Sequence, residues 1–85
     1  MDKLIQDALG EGTLNQALSY AQVLIARDPL WEPGYRYLMQ AYARLGNRAM
    51  VLQTFQQCQE VLSRQLGSAV SAETQAMLDE LTRAL

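Results

Sequence analysis

Apolar residues recur along most of the chain at spacings of three and four, the period of helices with one buried face. Glycine, proline and cap signals cut this pattern into five stretches. The first runs roughly from Asp2 to Leu9 and is stopped by Gly10 and Gly12. The second covers about Thr13 to Arg27, with Leu14, Ala17, Leu18, Ala21, Leu24 and Ile25 on one stripe. Asp28-Pro29 ends it, because a residue before proline is pushed out of the helical region. The third begins near Glu32 with Pro33 tolerated in its first turn. Its stripe is Tyr35, Leu38, Met39, Tyr42 and Leu45, and Gly46 closes it. The fourth, about Arg48 to Leu66, aligns Val51, Leu52, Phe55, Cys58, Leu62 and Leu66, and stops at Gly67. The fifth starts at Ser71, a good N-cap, with Glu73 placed well for the helix dipole. It buries Met77, Leu78, Leu81, Ala84 and Leu85 and turns Asp79, Glu80 and Arg83 to water. No stretch alternates as a strand does, so the fold class is all-α.

The stretches also repeat. Laying Gly12 on Gly46 gives an offset of 34 residues, and Ala17 then falls on Val51, Leu18 on Leu52, Ala21 on Phe55 and Leu24 on Cys58. In the preceding helices Leu4 falls on Leu38, Ile5 on Met39 and Ala8 on Tyr42. Two helices and a short turn at this period are the tetratricopeptide unit. The expected architecture is a tetratricopeptide-like α-α superhelix in a single domain, 1–85. A first hairpin covers 1–31, a second 32–66, and a C-terminal capping helix 67–85. Gly12 and Gly46 turn the chain within each hairpin, and Ala17 marks the close approach of the first pair. The second unit departs from the pattern at Val51, where alanine is expected, and lacks a proline after its second helix.

Composition narrows the function classes. The chain has 85 residues, one cysteine and no histidine, and its net charge is −2. A core this small buries about 60–65 % of the unfolded chain's surface. Without histidine there is no ordinary zinc site or nucleophilic triad, and the scattered glycines form no phosphate loop. An enzyme is not expected, nor is a cofactor or a metal. Affinity for DNA comes mainly from neutralising phosphates, so an acidic domain is not expected to bind nucleic acid by itself. No apolar run is long enough for a membrane span and the N-terminus has no signal-peptide pattern, which makes the cytoplasm the expected location.

From Asp28 onward the sequence resembles the bacterial transcriptional activator domain. This is a tetratricopeptide-like module of bacterial regulators of the antibiotic-regulatory-protein type and of some large ATP-dependent regulators. The residues that carry the resemblance are Asp28-Pro29-Leu30 with Glu32, Leu38-Met39, Leu45-Gly46-Asn47-Arg48-Ala49 and Phe55-Gln56-Gln57-Cys58. Leu66-Gly67 and Ser71-Ala72-Glu73-Thr74 extend it to the last helix. Ala69 and Val70 stand where the family usually has an acidic residue and a proline, and Ala72 replaces a frequent proline. The resemblance implies a protein-interaction or oligomerisation module of a transcriptional regulator. Such regulators normally carry a basic winged-helix reader on the same polypeptide. Met1 falls at about the fourth position of the first repeat, as in a piece of a longer regulator or a free-standing reuse of the module.

Two surfaces are candidates for contact. Arg36, Gln40 and Arg44 lie at i, i+4 and i+8 with Tyr37 beside them. In the geometry the resemblance implies, this strip faces the concave groove, where guanidinium forks could hold a partner's carboxylates. An ordinary solvated helix face is the competing reading. Leu4, Ile5 and Leu9 form an apolar edge on the first helix, and a homodimer through that edge is the specific expectation. A stand-alone adaptor or chaperone holding a partner's peptide in the groove is the rival function. Cys58, on a stripe between Phe55 and Leu62, reads as a small buried hydrophobe, and Asp79-Glu80 as a solvated face. For Trp31 two readings stay open: an exposed anchor for a partner, or a staple folded back over the hairpins.

Overall fold

The computed structural model describes residues 14–84, and within them the chain is entirely helical apart from its turns. Helix α1 spans Leu14–Arg27, α2 Glu32–Arg44, α3 Arg48–Leu66 and α4 Ala72–Ala84. The predicted first helix lies outside the described residues.

Small residues set the approach of α1 to α2. Ala17 and Ala21 are fully buried, Ile25 is buried beside them, and Leu14, Leu18 and Leu24 pack around that line. After α1, Asp28 organises the turn. Its carboxylate accepts the Leu30 N–H at 3.3 Å and its carbonyl the Trp31 N–H at 3.0 Å. The buried Tyr35 hydroxyl donates to the Pro29 carbonyl at 2.7 Å, pinning this turn to α2.

Among the described helices α2 is the central one, packed against α1, α3 and α4. It therefore buries more than one stripe: Tyr35, Leu38 and Met39, but also Gly34, Tyr37 and Ala41. Helix α3 starts under an Asn47 cap whose side chain accepts the Met50 N–H at 3.2 Å. It stops at Gly67, left-handed at φ +63°, with the Gly67 N–H returned to the Ser63 carbonyl. Helix α4 is capped by Ser71, whose Oγ accepts the Thr74 N–H at 3.2 Å.

Two apolar clusters result. One joins Ala17, Ala21 and Ile25 to Tyr35, Tyr37, Leu38, Cys58 and Leu62. The other joins Met39, Val51 and Phe55, roofed by the half-buried Met77, Leu78 and Leu81 of α4. Val51, the bulkier residue in the alanine position, is completely buried there.

Three stripe positions depart from the periodic expectation. Leu45 is 50 % exposed because α2 ends at Arg44 and the chain has already begun to turn. Leu66 is 60 % exposed. At 19 residues against 13, α3 is longer than α2 by six, about 9 Å of helix, and Leu66 is its last residue. Ala84 is exposed at the end of α4, where the fully buried residue is instead Thr74; Leu85 lies outside the described residues.

Candidate partner-binding site

The α2 strip divides into an occupied half and an open half. Arg36, one turn into the helix, has a side chain only 15 % exposed. Its Nη1 donates to Thr74 Oγ1 at 2.9 Å, and its guanidinium lies 3.7 Å from both the Glu32 and the Glu73 carboxylates. Tyr37 is buried, its ring tilted at 53° against Trp31 with centroids 6.1 Å apart. Gln40 is half-buried and Arg44 exposed. The carboxylates that Arg36 holds thus come from its own chain, and the accessible part of the strip begins at Gln40.

Glu32 is the residue that sequence reasoning missed. One oxygen, Oε2, accepts the Ser71 N–H at 2.9 Å, the Ser71 hydroxyl at 2.6 Å and the Thr74 hydroxyl. Helix α4 is therefore capped twice, by its own Ser71 and by a carboxylate 39 residues earlier, where a negative charge also suits the helix dipole. Burial raises the Glu32 pKa. The hydrogen bonds from Ser71 and Thr74 and the Arg36 charge outweigh that effect and hold the carboxyl below its ordinary value. Ser71 as a cap was legible in the sequence. Its pairing with Glu32 was not, because no local pattern links positions so far apart.

Trp31 takes the second of its two readings, folded back on the core beside Ile25 and Tyr37. Gly34 permits this: a Cβ there would sit 3.0 Å from the indole Cε3 and 3.1 Å from Ile25 Cγ1. Cys58 is fully buried, and burial pushes its thiol up to about 12, with Glu32 adding to the rise and Arg36 opposing it. Asp79 and Glu80 are exposed. Leu4, Ile5 and Leu9 lie outside the described residues.

Between α1 and α3 a neutral cleft of about 300 Å³ opens over Leu38 and Tyr42, rimmed by Gln22, Gln53 and Gln57. Among the described residues no group of three acidic, cysteine or histidine side chains could hold a metal ion, and no helix is long and apolar enough to cross a membrane. The arrangement offers contact surfaces: a carboxylate-filled arginine, a free arginine and an uncharged cleft.

These features define a helical-repeat protein of the tetratricopeptide type. Over residues 1–82 the chain matches the family model of the bacterial transcriptional activator domain, and it belongs to that family. Neither the curated proteins nor the solved structures give a match. The domain is thus one associated with transcriptional activation.

Proposed function

We propose that this chain is a protein-interaction and oligomerisation module of a bacterial transcriptional regulator, working in the cytoplasm, with DNA read by another domain. The family match carries this reading. Three features support it: a net charge of −2, a short stack of helices, and an α2 strip whose open end presents Gln40 and Arg44. Leu4, Ile5 and Leu9 are the proposed self-association edge, and Ile5→Asp is expected to dissolve a homodimer while leaving the helix content intact.

A second reading, a free-standing adaptor that takes a partner's peptide, is favoured by the exposed Arg44, a ready site for a carboxylate. An immunoblot of source cells with an antibody to this domain separates the two. A band several times larger than 9.5 kDa supports the regulator module. A band at that size refutes it and leaves the adaptor.

A further inference from the structure

The turn between α2 and α3 carries a charged and apolar patch that the fold does not use. Arg44 closes α2 and Arg48 opens α3; both are exposed, and neither forms an ion pair or side-chain hydrogen bond among the described residues. Between them stands the half-exposed Leu45. The turn is tight: the Leu45 and Asn47 N–H groups both return to the Tyr42 carbonyl, at 3.1 and 2.9 Å, and Gly46 takes φ +73°. Four residues span at most about 14 Å when fully extended, so this folded turn keeps both guanidinium groups within reach of one short segment.

Folding accounts for Arg44 alone. A cation suits the end of α2, but Arg48 sits in the first turn of α3, where the helix dipole opposes positive charge. An exposed leucine gains nothing from water. The chain around the turn is also free of acid: no aspartate or glutamate occurs between Glu32 and Glu60, while Arg36, Arg44 and Arg48 all fall in that interval. In a protein of net charge −2, the stretch of chain that makes this turn thus carries two exposed arginines and a half-exposed leucine with no carboxylate of its own.

Resting on the interaction-module reading, we propose that this tip docks an acidic protein segment. Carboxylates of the segment meet Arg44 and Arg48, and an apolar side chain between them covers Leu45. Charge complementarity selects the acidic partner. Leu45 favours protein over a nucleic-acid backbone, which brings phosphates but no apolar group, and the net charge of −2 opposes phosphate binding further.

The test is a titration of the isotope-labelled 85-residue chain with a short synthetic peptide bearing two leucines between paired glutamates, followed by amide chemical shifts. The same peptide with alanines for leucines and a single-stranded oligodeoxynucleotide are titrated in parallel. Shifts are expected to cluster at residues 44–48 and to weaken with salt. Arg44→Glu with Arg48→Glu should lower affinity at least about tenfold, the scale of one lost close charge pair. The alanine peptide should bind several-fold more weakly, and Arg27→Glu with Arg83→Glu should leave affinity nearly unchanged. Arg44→Gln with Arg48→Gln provides a milder pair should the reversals disturb folding. Absence of peptide binding, binding insensitive to both arginine pairs, shifts centred elsewhere, or tighter binding of the oligonucleotide would each overturn the proposal. None of these outcomes alters the native size on the immunoblot, so the patch can fail while the regulator-module reading stands.

Discussion

Replacing Glu32 with glutamine would keep the side chain's shape and remove its charge, which makes Glu32→Gln a direct probe of how α4 is held. The carboxylate takes three hydrogen bonds from Ser71 and Thr74 and lies beside Arg36. Hydrogen bonds to a charged group contribute about 1.5–3 kcal/mol each and neutral ones about 1. The loss is partly recovered: Ser71 is exposed and can be hydrated, and Thr74 keeps Arg36 and Ser71 as partners. A net cost of about 2 kcal/mol follows, which in a domain of this size lowers Tm by about 10 °C. Thermal unfolding followed by far-ultraviolet circular dichroism measures this directly. Because the folded-state pKa of Glu32 lies below its unfolded value, its stabilisation is complete above the unfolded pKa and is lost as pH falls through the folded one. The melting curves of the two proteins should therefore converge in acid. A variant melting within about 2 °C of the wild type at neutral pH, or a gap that persists unchanged in acid, would refute the reasoning.

Three further outcomes follow from the packing. Gly34→Ala gains about 1 kcal/mol of helix propensity but drives a methyl into Trp31 and Ile25; the clash should win by about 1 kcal/mol, lowering Tm and shifting the tryptophan emission, and a stabilised variant would sink this account. Tyr35→Phe should cost about 1 kcal/mol in denaturant titrations, since it removes the hydroxyl that holds the Pro29 carbonyl, and no change would mean the turn is held without it. The buried Cys58 thiol, with its pKa raised to about 12, should resist a thiol reagent in the native state and react only on unfolding; rapid native labelling would contradict the core assignment.

The elements were legible because their signals are local. Asp28-Pro29, Gly46, Gly67 and Ser71 each act within a turn of where they stand, and the helix limits fall on or beside them. The apolar stripes likewise predicted Ala17, Ala21, Met39, Val51 and Cys58 in the core. Periodicity says which face of a helix is apolar, but not how many neighbours surround it. Tyr37, beside the candidate groove strip by spacing, is buried for that reason: α2 has a partner on several sides, so a residue off its main stripe is also covered. Arg36 shows a related limit. Its spacing with Gln40 and Arg44 defines a polar strip, yet what fills its fork is Glu32 and Thr74, brought there only by the docking of α4.

The central place of α2 has a consequence for how the domain opens. Among the described helices α1 approaches α2 alone, whereas α2 also meets α3 and α4. Fluctuations that release α1 reach α3 only through the apolar cluster that Cys58 and Leu62 share with it, and those that release α4 need not disturb α1. Among the described helices amide exchange should therefore be graded, slowest through the middle turns of α2 and faster in α1 and α4. Of the described helices, α2 is thus the last to lose its cover.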